Sequence, residues 1–285
     1  MSVAADGLPR LSDVIRAHGL NAKKSLGQNF LLDLQLTSKI ARSAGSLVGQ
    51  TIVEVGPGPG GLTRALLLEG ADKVIAIERD ERCLDALKEI AQHYPDRLDV
   101  IPGDALEIDY PALAPAGAQI VANLPYNVAT PLFTGWLESE IWPSWWSQLT
   151  LMFQREVAQR ITARVGDKAY GRLAILTAWR AEADILFDVP ASAFTPPPKV
   201  TSSIVQIRPK SNYVHVPGAL LQQVTAGAFG QRRKMLRASL KALGTRFSGG
   251  VEAWLEAADI SPTQRAEEID VSGFLRLTEL LDARS

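Results

Sequence analysis

Cysteine is nearly absent from this 285-residue chain. Cys83 stands alone, which excludes an intramolecular disulfide and any cysteine-cluster metal site. Histidine is scarce too: His18, His93 and His215 are scattered, so no histidine zinc motif or metalloprotease pattern is present, and no metal is expected. No apolar run approaches the roughly 20 residues of a membrane span. The opening MSVAADGLPR lacks the apolar core of a secretory signal. The expectation is a cytoplasmic protein without membrane contact, with Cys83 as a small buried residue.

Net charge is also close to nil, formally −1, which by itself argues against a polyanion partner. Its distribution argues the other way. Between Lys210 and Val251 no Asp or Glu occurs, while Arg232, Arg233, Lys234, Arg237, Lys241 and Arg246 all fall there. Acidic residues then dominate from Glu252 to Asp282. Segregation of this kind makes either a patch that attracts phosphates or a solvated helix face. The apolar share of 46% is that of an ordinary globular protein, and the length suggests about two domains.

Short β-branched runs at Thr51–Val55, Lys73–Ile77, Leu98–Ile101 and Ile120–Ala122 alternate with helical patterns at Leu62–Glu69 and Glu81–His93. Such alternation predicts a parallel sheet with helices on both faces. Gln148–Phe153 reads as a further strand leading into a helix from Arg155 to Val165, and Leu173–Trp179 as helical or strand-like. Asp184–Val189 and Ser202–Ile207 read as strands around a stiff loop carrying Pro196, Pro197 and Pro198. Helices are then expected at Ala219–Phe229, Arg233–Leu243, Val251–Ala258 and Val271–Leu281. Residues 1–212 thus form the expected α/β domain and residues 213–285 a small all-α domain. Residues 1–19 are less characteristic and are expected to be mobile. No coiled-coil pattern or obvious apolar patch appears, so a monomer is expected.

The chemistry-bearing motifs fall at successive strand ends, where open α/β sheets bind ligands. Gly56-Pro57-Gly58-Pro59-Gly60-Gly61 follows the first strand and opens a helix, suiting close approach of backbone to a ligand. Gly56, Gly58 and Gly61 also satisfy G-x-G-x-x-G, so a dinucleotide remains possible here. Glu78 ends the second strand, where a carboxylate binds ribose hydroxyls. Gly103-Asp104-Ala105 ends the third: Asp104 suits an adenine amine or a helix N-cap. The fourth strand runs into Asn123-Leu124-Pro125-Tyr126. Asn123 Oδ1 and the Pro125 carbonyl could accept the two hydrogens of a base's exocyclic amine, while the Tyr126 ring stacks on the base. An ordinary strand-ending turn would use the same residues.

Together VEVGPGPGGLT, Glu78, GDA and NLPY resemble the class I S-adenosylmethionine-dependent methyltransferases that modify adenine N6. Three further segments narrow the likeness: KSLGQNFL from Lys24 to Leu31, FTPPPKVTS from Phe194 to Ser202, and FGQRRKML from Phe229 to Leu236. With these the chain is similar to the ribosomal RNA adenine dimethyltransferases, in particular the KsgA branch, which dimethylates two adjacent adenines near the 3′ end of 16S ribosomal RNA in the small subunit. The resemblance implies a Rossmann-like methyltransferase domain followed by a helical domain, with S-adenosylmethionine as cofactor and a role in small-subunit biogenesis. It implies that Asn29 and Leu31 contact the methionine portion with Gly56 under it, that Glu78 takes the ribose and Asp104 the adenine, and that Gly58 and Ala105 also bind the cofactor. Asn123 would border cofactor and substrate, and Leu124, Pro125 and Tyr126 would complete the catalytic motif.

Phe194 is expected to give the target base a second stacking face, or else to anchor its loop in the core. Arg232, Arg233, Lys234 and Arg237 are the expected RNA contacts, with Arg155 a weaker one. Trp142, Trp145 and Trp146 around Pro143 read as packing under a loop rather than as RNA contacts. A sister enzyme of the large subunit, of the macrolide-resistance type, shares the catalytic motifs. An assembly factor with methylation secondary is the alternative of another class, and a nicotinamide dehydrogenase would leave NLPY unexplained.

Overall fold

The computed structural model describes residues 4–23, 27–139, 142 and 144–283. Lys24, Ser25 and Leu26 of the N-terminal motif, and Pro143 of the tryptophan-rich stretch, lie outside the described residues. The strands are β1 (Phe30–Leu31), β2 (Thr51–Val55), β3 (Lys73–Glu78), β4 (Leu98–Pro102), β5 (Ala118–Ala122), β6 (Trp146–Gln154), β7 (Ala181–Val189), β8 (Phe194–Thr195) and β9 (Ser202–Pro209). Seven of them make one sheet in the order β4-β3-β2-β5-β6-β9-β7. β2 to β6 pair in parallel, and β9 runs antiparallel to β6. β1 and β8 form a separate antiparallel ribbon.

This order reverses direction at β2, with β3 on one side and β5 on the other, so a crevice opens there above the carboxyl ends. Val55 pairs with Ile77 and Glu78 with Pro102, so the loops after β2, β3 and β4 emerge side by side. Parallel strands are covered on both faces, and Ile52, Val53, Ala76, Ile120 and Val121 are at most 1% exposed. Asp80 caps the helix Glu81–His93 by accepting from the Arg82 N–H, and Cys83, Ala86, Leu87 and Ile90 give that helix its buried stripe.

Chain contacts divide into two units, residues 1–158 with 184–209 and residues 159–183 with 210–285. The expected division after residue 212 does not include the 159–183 excursion. There the helix Arg172–Arg180 buries Trp179, whose indole donates to the Val214 carbonyl, and Tyr170 donates to the Ile269 carbonyl. Trp254, Phe274 and Leu277 complete the apolar centre of this second unit.

Two sequence expectations are corrected. The helix expected over Arg233–Leu243 is replaced by a turn, an extended Met235 and two four-residue helices, Leu236–Ser239 and Lys241–Gly244. Met235 forms an antiparallel bridge with Arg265, and that pairing overrides local helix propensity. The mobility expected for residues 1–19 is not what residues 4–19 show. Asp6 and Leu11 are buried, and Leu11–Ala17 is a helix. Among the described residues no helix is long and apolar enough to cross a membrane.

Candidate active site

The crevice above β2 and β5 is a cavity enclosing about 1110 Å³, its open mouth included. Asn29, Leu31, Gly56, Gly58, Glu78, Asp104, Ala105, Asn123, Leu124, Pro125 and Tyr126 all line it.

Its floor is the glycine loop. Gly56, Gly58 and Gly60 have φ of 69°, 56° and 89°, a region that side-chain-bearing residues rarely adopt. The N-terminal segment lies across the helix that follows, since a Cβ on Gly61 would come within 2.6 Å of the Leu31 carbonyl. Gln28 Nε2 donates to Asp80 Oδ2 at 2.8 Å, tying this segment to the end of β3. Asp80 also receives two hydrogen bonds from the Arg82 guanidinium, which hold its carboxyl down at about 2. Gln28, Arg79 and Asp80 line the cavity but were not singled out from sequence. Asp80 was legible, as an Asp directly before a helical pattern.

Glu78 accepts from the Gly58 N–H at 2.8 Å with one carboxylate oxygen and from the Asp80 N–H at 2.7 Å with the other. Burial raises its pKa against the pull of those bonds. Behind it Glu54, 1% exposed, accepts from the Thr63 hydroxyl at 2.6 Å, and burial pushes it up to about 8. Asp104 bonds the Leu106 N–H at 3.0 Å and pairs with Arg79 at 2.9 Å. Its turn is braced by the Tyr110 hydroxyl, which donates to the Ala105 carbonyl at 2.8 Å.

At the far wall, Asn123 Nδ2 donates to the Asn29 carbonyl at 3.4 Å. A carbonyl only accepts, so this contact turns Nδ2 toward Asn29 and leaves Oδ1 without a donor among the described residues. The Pro125 carbonyl departs from expectation. It accepts the first-turn N–H groups of Val128 and Ala129, at 3.0 and 3.1 Å, because Pro125 caps the helix Tyr126–Leu137. The Leu124 carbonyl, one residue earlier, has no donor among the described residues. Tyr126 opens the helix, and its hydroxyl lies 2.6 Å from Ser202 Oγ.

Phe194 is not brought to the cavity. It is 3% exposed, pairs with Leu31 across the small ribbon and belongs to a hydrophobic core cluster with Leu31, Leu62 and Ile204. In this structure it anchors its loop. Trp146 is buried in β6, and Trp145 stacks on Tyr110 at 5.3 Å, so these rings pack as expected.

In the second unit, Arg233, Lys234 and Arg237 are exposed. Arg232 is exposed too but engaged: it donates to Glu267 at 2.8 Å and to the Lys168 and Tyr170 carbonyls at 2.9 and 3.0 Å. It is a strut of that unit before it is anything else.

Comparison with known proteins agrees with this arrangement. The family described as ribosomal RNA adenine dimethylase matches residues 19–283. A ribosomal RNA small subunit methyltransferase A of Xanthobacter autotrophicus is 62% identical, over 96% of this chain and 94% of its own. That of Azorhizobium caulinodans is 64% identical, over 96% and 93%. Among solved structures, a dimethyladenosine transferase from Plasmodium falciparum superposes with a TM-score of 0.73 at 27% identity, covering 88% of this chain and 97% of that one. The 23S rRNA methyltransferase ErmE gives 0.66 at 27%, covering 89% and 100%. The fold is the Rossmann-like class I methyltransferase fold with a helical second unit. With the match running from the N-terminal segment over the cavity to the last helix, the chain belongs to the ribosomal RNA adenine dimethylase family.

Proposed function

We propose that the chain transfers methyl groups from S-adenosylmethionine to N6 of two adjacent adenines near the 3′ end of 16S ribosomal RNA in the small subunit, giving N6,N6-dimethyladenosine. The observation that carries this reading is the Asn123 amide oxygen and the Leu124 carbonyl, both without a donor among the described residues, in one cavity with Glu78 and Asp104.

The donor set fits the cofactor. Glu78, oriented by two backbone N–H groups, takes the ribose hydroxyls; Asp104 and Ala105 take the adenine; Asn29, Leu31, Gly56 and Gly58 surround the methionine portion. When bound, the cofactor supplies a methyl group on a sulfonium, electrophilic enough to need no activation. The work left to the chain is on the nucleophile. Adenine N6 shares its lone pair with the ring and must pyramidalise to attack. Asn123 Oδ1 and the Leu124 carbonyl accept its two hydrogens, favouring that geometry and stabilising the charge that develops on nitrogen. Leu124 replaces Pro125 in this role because the helix start has already claimed the Pro125 carbonyl. No strong general base is required, since the N6 proton becomes acidic only as the carbon–nitrogen bond forms. The Tyr126 ring stacks on the base, contributing about 1–3 kcal/mol against a comparable unstacking cost.

Arg233, Lys234 and Arg237 contact the RNA backbone in this reading, and the enzyme acts as a monomer in the cytoplasm. Relatives above 60% identity carry small-subunit names, whereas ErmE is 27% identical, which favours the small subunit as substrate over the large. The test is methyl transfer from labelled cofactor to undermethylated small subunits, large subunits and naked rRNA in parallel. Dimethyladenosine on the small subunit is expected. Label confined to large-subunit RNA would overturn the assignment.

A further inference from the structure

We propose that Ser202 is a positioning residue for the target adenine, acting through Tyr126; this rests on the reading of Tyr126 as the stacking face. Ser202 is fully buried at the first position of β9, where it pairs with Gln154 of β6. A hydroxyl there is costly unless hydrogen-bonded. Its partner is the Tyr126 phenol at 2.6 Å, and no other is found among the described residues. The anchor is itself fixed: the neighbouring Ser203 hydroxyl donates to Asp188 of β7 at 2.6 Å, and the Arg155 N–H donates to the Thr201 carbonyl at 3.0 Å.

Tyr126 needs such an anchor. It is the first residue of its helix, directly after the irregular Asn123–Pro125 turn, and its ring is only partly buried. A tyrosine held at Cα by a helix and at its hydroxyl by a sheet residue has little freedom to swing or tilt. The stacking face is therefore set before the base arrives, and the ordering cost is removed from the binding step. Burial raises the phenol's pKa against the pull of the Ser202 bond, so both hydroxyls stay protonated and either can donate. Tyr126 lines the cavity whereas Ser202 does not, so Ser202 acts only through the ring.

The experiment is a double-mutant cycle in the full chain: Ser202→Ala, Tyr126→Phe and the double variant. Readouts are kcat and KM for undermethylated small subunits, and Kd for S-adenosylhomocysteine by calorimetry. Each single variant should lose about five- to tenfold in kcat/KM, the scale of one neutral hydrogen bond, with cofactor-product Kd unchanged. The double variant should be no worse than either single one. Independent, multiplying losses would overturn the proposal, as would Ser202→Ala with wild-type kinetics. Should Ser202→Ala not fold, Tyr126→Phe breaks the same bond without touching the strand, and wild-type kinetics there would be equally fatal. Tyr126→Ala separates the levels. If it is as active as wild type, the stacking reading falls and takes the proposal with it; if it is crippled while Ser202→Ala is normal, the proposal alone fails.

Discussion

Asp6 and Arg64 form a buried, two-point ion pair: Nε reaches one carboxylate oxygen and the terminal nitrogen the other, each at 2.6 Å. Arg64 belongs to the helix that the glycine loop opens, so the pair fastens the start of the chain to the floor of the cavity. Burial works to raise the Asp6 carboxyl, but the hydrogen bonds and charge of Arg64 outweigh it and hold it below the usual range. A folded pKa below the unfolded one gives stability that is present above the unfolded value and is lost as pH falls through the folded one. Asp6→Asn should cost about 3 kcal/mol in denaturant unfolding at neutral pH, because it leaves Arg64 charged and half-paired. The cost should shrink toward acid, where wild type loses the pair as well.

Glu54 has the opposite sign. Its folded pKa is raised to about 8 from 4.5, so across that window the folded chain keeps a proton that the unfolded chain has released. Its contribution to stability therefore falls as pH rises through the window and levels off above about 8. Glu54→Gln should flatten the decline in stability between about pH 5 and 8. An unchanged slope would assign the decline to other groups.

Glu78→Gln replaces one of two acceptor oxygens with an amide NH2 donor that must face a backbone N–H. Cofactor-product affinity should fall at least tenfold by calorimetry, with little change in fold. In wild type the affinity should hold above the raised Glu78 pKa and weaken below it, since the protonated acid accepts less well.

For RNA binding, Arg233→Ala, Lys234→Ala and Arg237→Ala together should lower affinity for the small subunit and reduce the slope of log K against log salt by about 3. Arg232 is left out of this set because it braces Glu267 and two carbonyls. Arg232→Ala alone should lower the stability of the second unit. An unchanged salt slope in the triple variant would make the basic run a solvated face.

The contrast between these residues shows what a sequence can carry. Gly56, Glu78, Asp104 and Asn123 were legible because each ends a strand, and parallel strand ends converge by topology alone. Roles that depend on who else claims an atom were not. The Pro125 carbonyl belongs to the helix it caps, Phe194 to the core behind Leu31, and Arg232 to a corner of the second unit. Asp6–Arg64 spans 58 residues with no local pattern to announce it. The extended Met235 depends on a partner, Arg265, that local propensity cannot see.

The central claim is that the Asn123 amide holds the target amine beside the bound cofactor. Its most direct test is single-turnover methyl transfer by Asn123→Ala, saturated with S-adenosylmethionine and small subunits, with cofactor Kd measured on the same preparation. The account predicts a rate loss of about 100-fold or more with Kd nearly unchanged. A wild-type rate would contradict it and remove Asn123 from the chemistry.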